Sequence, residues 1–190
     1  MPMTQRQALE VVVPHRGRRI VVSTMSSAGL WPLLSNLPLD FCYIPSAMGH
    51  APSLGLGLAI AQPERGVIVL NGDGCALMSL GNLVTLAHQP ANIHVLILDN
   101  GHYEVTGGQA HAGAGHADFA ALARAAGIMR VYSFRTLADW QAGAAEALAG
   151  PGPVVIHLLV EALVGQKTPK PPMPIVEQIR RLQEALGVVS

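Results

Sequence analysis

Short apolar runs alternate along the whole chain with segments whose apolar positions recur every three or four residues. The runs at 19–23, 41–44, 67–70, 92–99, 129–134 and 154–160 are mostly apolar, four of them rich in Val, Ile and Leu, and have the length of buried strands. Between them the spacing predicts helices over 28–34, 51–62, 74–89, 118–126 and 137–148. In the third of these, Leu77, Leu80, Val84 and Ala87 fall on one face. Thr4 and Gln7 have the spacing of a capping box and start a first helix that Pro14 stops, Asp118 and Thr136 stand as caps, and a last helix covers 175–186. Strand and helix in strict alternation predict a three-layer α/β fold, with a mostly parallel six-stranded sheet and helices on both faces.

The stretch from Val67 to Asn100 organises the rest. It reads as strand, Asn71-Gly72-Asp73-Gly74 turn, helix, strand and Asp99-Asn100 turn. A crossover of this length joins parallel neighbours and puts both turns at the same carboxyl edge of the sheet. Asp73 and Asn100 therefore end their strands side by side. A carboxylate and an amide oxygen form a good half-shell for Mg²⁺, which is usually held by one or two protein oxygens together with phosphate and water. A helix opening at Gly74 or Cys75 favours an anion above Asp73 through its unpaired N–H groups and its dipole.

Other positions carry weaker signals. The turn Ser23-Thr24-Met25-Ser26-Ser27 either offers N–H and O–H donors to an anion or simply caps the next helix. The glycine-rich segment 102–115 lacks periodicity and reads as a loop over the site; Tyr103 and Glu104 either face a substrate or are ordinary exposed loop residues. His102, His111 and His116 lack the spacing of a zinc site. Cys75, heading a helix, fits a small buried side chain better than a nucleophile because no His motif accompanies it. His157, inside an apolar run, reads as a satisfied core histidine. Segment 165–174 holds both lysines of the chain and four prolines and reads as a linker; Lys167 and Lys170 either reach an anion or are solvated.

Composition narrows the classes. At 190 residues the chain suits one domain, read here as 1–190, with no internal repeat. Charged residues are 13% and apolar ones 50%, which points to an exterior partly covered by other subunits. Twelve basic residues balance twelve acidic ones, arguing against a general nucleic-acid or anionic-membrane surface. Two cysteines make no disulfide framework, residues 1–10 are too polar for a signal peptide, and no apolar run is long enough to span a bilayer. A cytoplasmic protein is expected.

Gly72-Asp73-Gly74, with Asn100 27 residues beyond Asp73, resembles the signature of the thiamine-diphosphate-dependent enzymes. The resemblance implies that Asp73 and Asn100 bind the Mg²⁺ that anchors the cofactor's diphosphate, with the main-chain carbonyl of His102 as third protein ligand. It also implies that Met48, in Ser46-Ala47-Met48-Gly49, supports the bent cofactor from below and that the Ser46 carbonyl accepts from its 4-amino group. Gly72, Gly74, the N–H of Cys75, Ser26, Ser27 and Tyr103 complete the implied cofactor-binding set. His50, directly after the turn, is the candidate acid or substrate contact, the alternative being a packed or capping histidine.

Within that superfamily the runs at 46–50, 72–74, 98–100 and 106–109 resemble sulfopyruvate and phosphonopyruvate decarboxylases. Departures are Ser46 where the family often has Gly, Cys75 where it often has Ser or Thr, and Thr106 where some decarboxylases carry a catalytic Glu. The implied activity is decarboxylation of a small anionic 2-oxo acid. It needs a Glu from a pyrimidine-binding domain that this chain lacks, so the expected state is a homo- or hetero-oligomer with a partner subunit supplying that Glu. A carboligase or oxidoreductase subunit with the same cofactor, and a non-catalytic interaction subunit, remain as alternatives. A dinucleotide-binding domain is disfavoured, because the third fingerprint glycine is missing and Asp73 would repel a bare pyrophosphate.

Overall fold

The structure, a computed structural model, describes residues 3–163, 165 and 170–188. Six parallel strands form the central sheet: β1 (Ile20–Ser23), β2 (Asp40–Cys42), β3 (Val67–Gly72) and β4 (Ile93–Asp99), followed later in the chain by β7 (Arg130–Phe134) and β8 (Val154–Leu159). Their order is β2-β1-β3-β4-β8-β7. Helices α1 (Gln5–Val12), α2 (Ser26–Leu34) and α7 (Leu137–Ala147) cover one face. The other carries α3 (Ala51–Ala61), α4 (Asp73–Met78), α5 (Gly81–Ala87), α6 (Phe119–Ala125) and α8 (Ile175–Leu186). A short antiparallel hairpin, β5 (His102–Tyr103) with β6 (Gln109–Ala110), stands apart from the main sheet.

Alternation within the strands explains the two cores. Val67 and Val69 face α3, α5 and α6, whereas Ile68 and Leu70 face α1, α2 and α7, and all four are fully buried. Helix α1 starts with the capping box that its sequence announces: Thr4 Oγ1 accepts from Gln7 N, and Gln7 Oε1 accepts from Thr4 N. At its middle, the Ala8 carbonyl accepts from the indole of the buried Trp140 on α7.

Two expectations are corrected. The helix expected over 74–89 is two pieces, because the chain leaves helical geometry at Ser79 (φ −144°, ψ 50°) and restarts at Gly81. The Asn82 side chain then donates to the Gly49 carbonyl at 2.8 Å, so the break ties α5 to the 45–49 turn. The segment 102–115 is not plain loop, since it contains the β5–β6 hairpin and a 3₁₀ turn at Glu104–Thr106. Of the linker lysines, Lys170 is exposed and Lys167 lies outside the described residues. Among the described residues, no helix is long and apolar enough to cross a membrane.

Candidate functional site

β1 and β3 are neighbours, yet the helices that follow them, α2 and α4, pack on opposite faces of the sheet. The chain parts at their carboxyl ends, and an open parallel sheet takes its ligand in such a crevice. A cavity lies there, with about 410 Å³ of empty space that is partly open to solvent. Thr24 to Ser27 line it from the end of β1, Gly72 to Cys75 from the end of β3, and Leu98, Asn100 and the loop from His102 to Thr106 from the end of β4, with Gln5 and Met48 closing the sides. Ten of the residues assigned to the site from sequence are therefore brought together: Ser26, Ser27, Met48, Gly72, Asp73, Gly74, Cys75, Asn100, His102 and Tyr103. Ser46 and His50 do not line it; His50 is exposed at the head of α3, its Nδ1 3.0 Å from the Met48 carbonyl.

Asp73 and Asn100 are adjacent because Gly72 and Leu98 are paired in register on parallel strands. The Asp73 carboxylate is 2% exposed. Its Oδ2 accepts from Asn100 N at 2.8 Å, Gly101 N at 2.6 Å and His111 Nε2 at 3.0 Å, while Oδ1 accepts from Gly74 N at 2.7 Å. His111 Nδ1 accepts from Gly113 N, which leaves the ring hydrogen on Nε2 to point at Asp73. Asn100 Oδ1 accepts from His102 N at 2.8 Å. Oδ2 of Asp73 thus takes three N–H donors, whereas Oδ1 of Asp73 and Oδ1 of Asn100 each take one. Both are hard oxygens on residues that line the cavity, the donor type that Mg²⁺ selects.

Asp73 and Asp99 titrate as a pair. Burial raises the Asp73 carboxyl above its ordinary range, as does its hydrogen bond with Asp99, against the opposing bonds from Gly74, His111 and Gly101. For Asp99 burial also acts upward, but hydrogen bonds from His157 and Asp73, the His157 charge and Gly101 N bring it below its ordinary range. Asp73, Asp99 and His111 place one donor atom each within 4.8 Å of one another. His157 is half-buried with both ring nitrogens engaged, Nε2 with Asp99 at 2.8 Å and Nδ1 with Ser133 at 3.2 Å, which fits a satisfied histidine.

Close packing explains the glycines. A Cβ on Gly74 would stand 2.5 Å from the Tyr103 ring, which lies across the start of α4. Gly49 has φ +84°, and a Cβ there would meet Ser79 Oγ at 2.6 Å. Cys75 is buried and its thiol is pushed up by that burial, so it is a packed thiol and not a thiolate nucleophile.

The hydroxyls of Ser26 and Ser27 are not free for an anion. Ser27 Oγ shares its one hydrogen between the Thr24 carbonyl of its own turn, at 2.7 Å, and the Leu70 carbonyl of β3, at 2.9 Å, and Ser26 Oγ donates to Glu104 Oε2 at 2.6 Å. Neither serine caps α2; the N-cap is Met25, at φ 51° in a region few side chains adopt. Gln5 is a site residue that the sequence did not single out; Glu104, read as either facing a substrate or exposed, is buried at the cavity, and His111, considered only for zinc, bonds Asp73. Nothing in a helical Gln marks it for a cavity, and a carboxylate in a glycine-rich loop reads as solvated until the fold buries it.

Residues 24–158 match the family described as thiamine pyrophosphate enzyme, C-terminal TPP binding domain. The chain belongs to this family. As a TPP-binding domain it is 41% identical over 143 residues to a phosphonopyruvate decarboxylase of Streptomyces hygroscopicus, covering 75% of this chain and 35% of that one. It is 43% identical over 120 residues to the sulfopyruvate decarboxylase subunit beta of Methanothermobacter thermautotrophicus, covering 63% and 61%. It spans about a third of the first relative's length and less than two thirds of the second's. In fold it is similar to the thiamine diphosphate-dependent 4-hydroxybenzoylformate decarboxylase of Rhodococcus jostii RHA1, with a TM-score of 0.69 at 21% identity, over 84% of this chain and 33% of that one.

Proposed function

We propose that this TPP-binding domain seats thiamine diphosphate through Mg²⁺ in the cavity between β1 and β3, as the cofactor-binding half of a decarboxylase of an anionic 2-oxo acid such as sulfopyruvate or phosphonopyruvate. The observation that carries the reading is that Asp73 and Asn100 follow neighbouring strands and line the cavity together, each with a side-chain oxygen that accepts one main-chain hydrogen bond. The residues present fit the group. Asp73 and Asn100 would hold the metal, with the His102 carbonyl as third ligand; Gly72, Gly74 and the Cys75 N–H leave room for a diphosphate to approach the backbone; Met48 and Tyr103 offer apolar surface to the rings. Without a cation the cavity would disfavour a diphosphate, because among the described residues it is lined by the carboxylates of Asp73 and Glu104 and by no lysine or arginine. When bound, thiamine diphosphate supplies the electron sink that 2-oxo acid decarboxylation needs.

This chain's own part is to hold and orient. The network of Gly74, Asn100, Gly101 and His111 fixes the Asp73 carboxylate in one orientation, so no side-chain freedom remains to be lost on binding. A pyrimidine-binding partner subunit would supply the catalytic Glu. Support comes from a chain in which only 13% of all residues are charged and from Leu33, Ile60, Met78, Val84 and Met129, each at least half exposed. Relatives named as subunit beta point the same way. A cytoplasmic location and a single domain over 1–190 belong to the same proposal.

The test is decarboxylation of sulfopyruvate and phosphonopyruvate by the chain together with a pyrimidine-binding subunit that co-purifies with it, followed by carbon dioxide release. Turnover that needs both chains, thiamine diphosphate and Mg²⁺ is expected. Consumption of an added aldehyde or electron acceptor in place of simple decarboxylation would overturn the assignment.

A further inference from the structure

Besides Asp73, one other carboxylate lines the cavity, that of Glu104, and it is 3% exposed. It belongs to the 3₁₀ turn Glu104–Thr106, two residues beyond His102. Among the described residues, each of its hydrogen bonds leaves its own loop. Oε2 accepts from Gln5 Nε2 on α1 at 2.7 Å and from Ser26 Oγ at the start of α2 at 2.6 Å; Oε1 accepts from Leu163 N, beyond β8, at 2.6 Å. These partners are 99, 78 and 59 residues away along the chain. A buried carboxylate is tolerated where donors replace its lost water, and here all three donors converge on it.

What the bonds immobilise is the loop that carries the site. Asn100, His102 and Tyr103 precede Glu104 directly, and the Tyr103 ring lies over Gly74. Ser26 follows Met25, whose φ of 51° is a conformation that persists only where its surroundings enforce it, and the Glu104 bond to Ser26 is one such constraint. Two of the three donors, Gln5 and Ser26, line the cavity themselves. A residue needed only for general stability would not gather its partners at the ligand crevice.

We propose that Glu104 is a positioning residue for the cofactor seat, its carboxylate drawing the 100–106 loop onto the cavity by binding α1, the head of α2 and the chain beyond β8 at once. The consequence for the cofactor rests on the reading of this cavity as the thiamine diphosphate seat. The tether itself does not.

The test is Glu104→Gln, which keeps the shape but puts an NH₂ group where three donors already meet. In the cofactor-free protein, backbone amides of 100–110 should exchange with deuterium about tenfold faster than in wild type, while those of β3 and β4 keep their rates. Unchanged exchange in 100–110, or acceleration spread over the whole chain, overturns the proposal. In the second arm, Mg²⁺-dependent thiamine diphosphate affinity should fall about tenfold, and the exchange of partners, Gln5→Glu with Glu104→Gln, should recover most of it. Undiminished affinity with a loosened loop also overturns positioning. If wild type itself shows no Mg²⁺-dependent binding, the proposed function fails while the exchange arm still decides the tether. Should Glu104→Gln not fold, Ser26→Ala, which removes one donor of three, is expected to give a smaller acceleration confined to the same amides.

Discussion

His94 offers a quantitative test of how this core is built. It sits on β4 between Ile68 of β3 and Val154 of β8 and is fully buried; among the described residues its ring nitrogens make no well-formed hydrogen bond, the Ala149 backbone giving only a weak contact. Burial, followed by the charges of Arg19 and Arg130, lowers its pKa from the ordinary 6.5 to about 3. A base with a depressed folded-state pKa is protonated preferentially in the unfolded chain. Its contribution is therefore fully present above about pH 6.5 and is lost as pH falls from there toward 3. Linkage makes the loss about 2 kcal/mol between pH 7 and pH 5, with a limiting slope of about 1.4 kcal/mol per pH unit.

The perturbation is His94→Leu, which keeps the volume roughly constant and removes the titration. Because the ring makes no well-formed hydrogen bond and only a weak contact with the Ala149 backbone, the variant should be about as stable as wild type, or more so, at pH 7. Urea unfolding of both proteins at pH 7, 6 and 5 is the assay. Carboxylates titrate alike in the two, so the difference isolates His94. The variant's advantage should grow by about 2 kcal/mol from pH 7 to pH 5. Parallel curves for the two proteins would refute the reasoning, since His94 would then not be buried as a neutral ring.

Other outcomes follow from the same packing. Gly74→Ala puts a Cβ against the Tyr103 ring and should weaken Mg²⁺-dependent thiamine diphosphate binding about tenfold, read by calorimetry, with Tyr103→Ala in the same chain relieving the fall in Tm. Thr4→Ala removes the capping box of α1 and should cost about 1 kcal/mol in urea unfolding. Gly152→Ala places a Cβ against the Ile93 backbone, which cannot give way as a side chain can, and should lower Tm more than any of these in a thermal melt.

The strands were legible because each carries a short apolar run, and the final helix because its polar and apolar positions separate cleanly; it spans Ile175–Leu186 as its spacing predicts. The nearness of Asp73 and Asn100 was legible for a topological reason, since a crossover fixes which strand ends are neighbours. The break at Ser79 was not, because the apolar spacing from Leu77 to Ala87 continues through it and the constraint comes from Asn82 reaching the Gly49 carbonyl. Glu104, His111 and Gln5 reach the site by contacts across 38 to 99 residues, and no local pattern encodes such partners. The hydroxyls of Ser26 and Ser27 show the converse. Their type suggested donors to a ligand, but their hydrogens are already given to Glu104 and to main-chain carbonyls.

The claim at the centre of this account is that Asp73 and Asn100 hold Mg²⁺ for a diphosphate. Calorimetric titration of thiamine diphosphate into the chain, alone and with its co-purifying partner, tests it most directly when run with Mg²⁺, with EDTA and on Asp73→Ala. Saturable heat that needs both Mg²⁺ and Asp73 is predicted. Binding that persists in EDTA or in Asp73→Ala, or none by the chain and partner together, would contradict it.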